Sequence, residues 1–221
     1  FKFPTAIAIG TDLLYASITK SAGVISHSRL GNIEWRIVRN LMLGSIPASF
    51  LMTYYLKGID LYAYENVKII NFSLGLALIL TSIAVIFQPL ISKKTGVQKT
   101  RALKNTTILT ILLGLSLGVL VTLTSVGAGA MGVTALLLLY PKMSIKKIVG
   151  TDIAHAVPLT LFAGLGHWNL GTVNTYLLLS LLIGSIPGIW LGSNLSSKID
   201  EKWLRYILAI VLLIVGIQLI K

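Results

Sequence analysis

The chain has 221 residues, 55% of them hydrophobic and only 12% charged, with a mean hydropathy of +0.85. A water-soluble domain carries about 25% charged residues, so a soluble fold is excluded and one polytopic membrane domain is expected. The net charge of +12 does not mark a nucleic-acid binder, because the basic residues lie between apolar segments, and the lack of cysteine excludes disulfides, thiolate nucleophiles and cysteine-held metals.

In chain order, the start Phe1-Lys2-Phe3-Pro4-Thr5 is not a signal-peptide n-region. Apolar segments follow at 6–26, 36–56, 69–91, 108–140, 150–166, 174–195 and 204–220. All are expected to be helical, since an unpaired strand edge cannot survive in lipid. The segment 108–140 is too long for one span, and Ser125-Val126-Gly127-Ala128-Gly129-Ala130 interrupts it with small residues. Two half-helices around a loop, as a re-entrant hairpin or broken helix, fit better than one rod. Pro47, Pro158 and Pro187 fall inside apolar segments and are expected to kink or break them, and Trp168 and Trp203 fall at expected membrane interfaces.

An internal duplication organises these segments. Gly10-Thr11-Asp12 returns 140 residues later as Gly150-Thr151-Asp152, and His27, Leu30-Gly31 and Gly44-Ser45-Ile46-Pro47 return ungapped as His167, Leu170-Gly171 and Gly184-Ser185-Ile186-Pro187. Duplicated halves in a membrane protein point to a transporter with its site where the halves meet. The first repeat is read as residues 1–91, the basic linker as 92–107 and the second repeat as 108–221. The long segment before the second Gly-Thr-Asp has no counterpart before the first, so about 30 to 40 residues are expected upstream.

Loop charge sets the topology. Lys93, Lys94, Lys99, Arg101 and Lys104 crowd one loop without an acid, and Lys142, Lys146 and Lys147 crowd another; both are placed on the cytoplasmic side. The segment between them must then enter and leave by one face, which supports the hairpin. The loops with Arg29, Arg36 and Arg39 and with Lys198, Lys202 and Arg205 are also placed inside, and those at 57–68 and 167–174 outside. The first Gly-Thr-Asp then starts near the outer face and the second near the inner one. The expected fold is an all-α polytopic membrane protein of two inverted-topology repeats, each a re-entrant or broken-helix hairpin plus about three transmembrane helices.

Asp12 and Asp152 are the leading candidates for chemistry, since a carboxylate in an apolar span costs about 2.5–3.5 kcal/mol that something must offset. They are read as coupling or site-shaping acids, the alternative being helix N-caps. The loop of Ser125, Gly127, Ala128, Gly129 and Ala130 is read as substrate-binding, through backbone N–H groups and the positive end of the following half-helix, with close helix packing as the alternative. Thr11 and Thr151 are expected to add hydroxyl donors. His27 and His167, at equivalent places, are assigned to coupling, against the alternative of partly wet interfacial rings. His155 lies one turn beyond Asp152 and could tune it. No ligand cluster or nucleophile elbow is present, so neither metal nor cofactor is expected and an intramembrane enzyme is disfavoured.

The stretches Gly10-Thr11-Asp12-Leu13-Leu14-Tyr15-Ala16 and Ser26-His27-Ser28-Arg29-Leu30-Gly31-Asn32-Ile33-Glu34-Trp35-Arg36 resemble the first half of the TauE/SafE-type sulfite exporters. Ser125 to Gly132, Val149 to Asp152 and Gly184 to Gly188 are similar to that family's second repeat. The resemblance implies a prokaryotic plasma (inner) membrane carrier that exports sulfite, sulfoacetate or a related sulfonate. It also implies a glycine-rich loop in each half, of which this sequence holds the second, with alanine at positions where relatives carry glycine. Combined with the residue reading, the expectation is a proton-coupled secondary transporter working by alternating access; the alternative is a passive anion channel of the same architecture. The expected partners are a small anion and the bilayer, with a homodimer as an open option and no nucleic acid.

Overall fold

The computed structural model describes residues 3–95, 105–196 and 200–221. Among the described residues all regular structure is helical: α1 (Thr5–Arg29), α2 (Trp35–Lys57), α3 (Tyr64–Thr95), α4 (Thr106–Thr124), α5 (Ala130–Leu139), α6 (Ile145–Asn169), α7 (Thr175–Ser196) and α8 (Glu201–Ile220). Four of these carry stretches long and apolar enough to cross a bilayer: Tyr64–Ile91, Thr106–Thr124, Ile145–Asn169 and Lys202–Ile220. The chain is an all-helical polytopic membrane protein. Lys99, Arg101 and Lys104 of the basic linker lie outside the described residues.

The 140-residue offset reappears in the element bounds. α6 starts and ends 140 residues after α1, and α7 starts 140 residues after α2. Both α1 and α6 close on leucine, at Leu30 and Leu170, and the following Gly31 and Gly171 take positive φ of 65° and 72°. Only glycine adopts that conformation freely, so the repeated Leu-Gly is a repeated helix stop.

α1 and α6 pack antiparallel and exchange reciprocal contacts. A Cβ on Gly10 would overlap the Thr172 carbonyl and press on His167, and one on Gly150 would overlap the Asn32 carbonyl and press on His27. Midway, the Ser17 hydroxyl donates to the Val157 carbonyl at 3.4 Å. Each partner in these pairs stands 140 residues from its counterpart. α2 and α4 cross as closely: Cβ atoms on Gly44, Gly114 and Gly118 would collide with the Ile111, Leu41 and Ser45 carbonyls respectively. Small residues are what allow helix backbones to approach in lipid, where no hydrophobic force drives association.

The segment 108–140 forms a hairpin. Tyr140, just past α5, shares a 2.6 Å hydrogen bond with Thr110, the fifth residue of α4, so the chain comes back to the end it left. The ten residues of α5 reach about 15 Å, half a bilayer core. At this end Lys147 meets Glu34 at 4.0 Å, and Ile37, Leu137 and Ile148 pack together with Tyr140 and Met143. At the other end Thr5 bonds Asn71 at 2.6 Å and Leu56, Leu61 and Leu170 join one cluster.

Two expectations need correction. Of the kink or break expected at Pro47, Pro158 and Pro187, the break does not occur, since the helices run through them. The Gly-Thr-Asp triplets do not start helices either, because Asp12 and Asp152 are each eighth in their helix. α6 begins at Ser144, whose side chain accepts from the Lys147 N–H, so its polar first turn precedes the apolar window.

Candidate functional site

The loop between α4 and α5 is built by backbone that only small residues tolerate. Ser125 has φ 56°, Gly127 120° and Gly129 131°, all in the region side chains disfavour. The turn is closed by Gly132 N–H to Gly127 O at 3.2 Å and Val133 N–H to Gly129 O at 2.7 Å, while the Thr124 hydroxyl accepts from Val126 N–H at 3.2 Å. Irregular backbone at this depth needs shelter inside the protein, which the surrounding helices provide. The start of α5 thereby points its partial positive charge into the bundle.

Polar side chains from three other helices converge here. The Ser125 hydroxyl donates to Asp12 Oδ2 at 2.7 Å, and the Lys20 ammonium donates to the Ala128 carbonyl at 3.2 Å. Asp152 is 1% exposed, and its Oδ1 lies against the backbone of Gly132, where a Cβ would overlap it. That oxygen has no hydrogen-bond partner. One turn further along α6, His155 Nε2 shares a 2.9 Å bond with the Ser45 hydroxyl while its Nδ1 is unpartnered. Lys20 lies within electrostatic reach of Asp12, Asp152 and His155 together. The site is thus one cation, two carboxyls, one imidazole and a helix N-terminus, half-buried among apolar helices.

The loop residues read from sequence hold distinct places. Ser125 and the Ala128 carbonyl meet the charged groups; Gly127 packs under Leu120 and Met131; Gly129 faces open space and, with Ala130, starts α5. Thr11 and Thr151 lie elsewhere. The buried Thr11 hydroxyl accepts from Asn174 N–H at 3.0 Å, and the Thr151 hydroxyl from Glu34 N–H at 3.0 Å. Asn174 and Glu34 are themselves 140 residues apart, so each threonine locks the helix entry of the opposite half. The reason is geometric: the Gly-Thr-Asp turn faces the antiparallel partner, with threonine toward the crossing and aspartate toward the loop.

His167 is not partly wet. It is 2% exposed and joins the Thr172 hydroxyl at 2.8 Å to the Thr122 carbonyl at 2.9 Å, tying α6 to α4. His27 meets Gly150, and its Nδ1 is buried without a partner. Neither histidine bonds to the loop. Lys20 escaped the sequence reading, and Gly132 and Ser45 were read there only as motif residues, without a place in the site. A lysine inside the apolar segment 6–26 was the available signal for the first, since an ionisable group in a span is functional by default. Apart from this cluster, an apolar groove of about 700 Å³ runs between α1, α2 and α6, lined by Trp35, Arg39, Pro47 and Pro158 among others and by none of the loop residues. Among the described residues no three His, Cys, Asp or Glu side chains could hold a metal ion.

The family model described as "Sulfite exporter TauE/SafE" matches residues 1–219. A probable membrane transporter protein of Bacillus subtilis (strain 168), YjnA, is 39% identical over 217 residues, covering 97% of this chain and 85% of the relative. A second from the same organism, YdhB, also described as a probable membrane transporter protein, is 25% identical over 220 residues, covering 100% and 86%. No solved structure matches the chain at a significant level.

Proposed function

Because this chain belongs to the TauE/SafE sulfite exporter family of membrane transporters, we propose that it moves a small sulfur oxyanion, sulfite or a related sulfonate, across a prokaryotic plasma membrane. The observation that carries the reading is Lys20. Its ammonium is held, half-buried, on the Ala128 carbonyl at the mouth of α5. A partly buried cation beside a helix N-terminus is a site for a small anion, and the open flank of Gly129 leaves room for one.

Alternating access is supported by the reciprocal contacts of α1 and α6. Antiparallel packing of equivalent helices is what inverted repeats require, and the paired locks at Thr11 and Thr151 give each half a hold on the other. The end carrying Arg29, Arg36, Lys142, Lys146 and Lys147 is the cytoplasmic side by the positive-inside rule.

The test is exchange of radiolabelled sulfite in proteoliposomes, with protein-free liposomes as baseline. Lys20→Gln should lower exchange by about a hundredfold, the scale of a lost charge-assisted contact of about 1.5–3 kcal/mol, and Gly129→Leu should abolish it. Wild-type rates in both variants would overturn the site.

A further inference from the structure

Resting on the reading just given, we propose that Asp152 is a built-in competitor of the transported anion, so that each anion crosses together with a proton held on Asp152. Gly132 is the third residue of α5. The carboxyl packed on it therefore lies in the first helical turn, where a bound anion would draw on the same partial positive charge. Lys20, the cation that anion needs, also acts on Asp152. Two negative groups cannot share one positive pocket in a low-dielectric interior. A proton on Asp152 removes the internal rival and leaves both Lys20 and the start of α5 to the substrate.

The two aspartates are not equivalent in this respect. Asp12 Oδ2 accepts from Ser125, so protonation there disturbs an existing bond. Asp152 Oδ1 accepts none and can take a proton without losing a partner. The groups facing Asp152 are few. α1 contributes Lys20 and Asp12, with His27 near Gly150. α2 contributes Ser45 through His155, Glu34 beside Thr151, and Arg39 in the groove next to Ala154. α6 itself contributes His155 and Lys147, and α4 and α5 carry no titratable side chain. His155, one turn on along α6 and with an unpartnered Nδ1, is a group able to pass the proton on. No covalent bond changes: the proton enters from water on the loading face and leaves to water on the other.

The experiment uses the full chain in proteoliposomes, with sulfite as probe. An acid-outside pH gradient should accelerate wild-type sulfite uptake at least tenfold, and a pH dye should report proton entry with it. Asp152→Asn, which mimics the protonated acid, should lose the acceleration, read as the ratio of its rates with and without the gradient. Uptake slowed by inward protons, uptake indifferent to the gradient, or an Asn variant still driven by it would each overturn the proposal while leaving sulfite transport standing. Should Asp152→Asn not fold, the wild-type dye signal decides alone. Absence of any wild-type sulfite exchange overturns both the function proposed above and this coupling.

Discussion

α1 and α6 have equal lengths, equal stops and reciprocal neighbours, yet only their framework repeats. Gly10 and Gly150, Thr11 and Thr151, and His27 and His167 occupy matching positions at the crossing. The chemistry around the α4–α5 loop does not match. Lys20 stands where the other half has Thr160, whose hydroxyl merely bonds back to Ala156 at 2.8 Å. His155 stands where the first half has Tyr15. Asp12 is held by Ser125 while Asp152 has no donor on Oδ1. A duplicated scaffold thus carries unlike side chains at equivalent positions, and of the pair Lys20 and Thr160 only one is a cation.

The sharpest way to break the comparison is at the glycine crossings. α4 lies in the groove of α2, with Gly44 on the Ile111 carbonyl and Gly114 on that of Leu41. Gly44→Leu or Gly114→Leu would force backbone apart with no flexible side chain to yield, costing at least about 3 kcal/mol. The expected outcome is loss of monodisperse protein in detergent. An intact, normally melting Gly44→Leu protein would show that α2 and α4 do not cross as described.

A middle-sized effect tests whether the reciprocity is energetic as well as geometric. Thr11→Val and Thr151→Val keep side-chain shape and leave one partly buried N–H, of Asn174 or Glu34, without its acceptor. Each should cost about 1–3 kcal/mol, read as a lower melting temperature in detergent. The two losses should be alike if the halves hold each other equally. A large loss in one variant and none in the other would reduce the framework symmetry to coincidence of sequence.

The hairpin and the duplication were legible because they rest on local signals: small residues in an apolar run, and triplets at a fixed offset. The start of α6 was not, because the helix extends past its apolar window into a polar turn, where Ser144 rather than Asp152 is the cap. Treating repeated residues as functional also pointed away from Lys20, which has no counterpart. The meeting of Asp152 with Gly132 depends on how α5 returns across α6, and nothing in the spacing of two residues 20 apart encodes that. Thr11 and Thr151 were drawn into the site by adjacency to the aspartates, although neighbouring residues on a helix point about 100° apart.

The smallest predicted effect sharpens the comparison by making the halves more alike. Ser125 is the residue that distinguishes Asp12 from Asp152, and it does so from a left-handed backbone at φ 56°. Ser125→Ala removes the hydroxyl but keeps a Cβ in a conformation that disfavours one, whereas Ser125→Gly removes the hydroxyl and the strain together. The alanine variant should lose about 1 kcal/mol of stability from the missing hydrogen bond, and the glycine variant should recover part of that loss. Both should change the pH dependence of sulfite exchange equally, because both free Asp12 Oδ2 of its donor. If only the alanine variant alters that profile, the backbone conformation rather than the hydroxyl sets the difference between the two acids, and Ser125 is a hinge residue with no hold on Asp12.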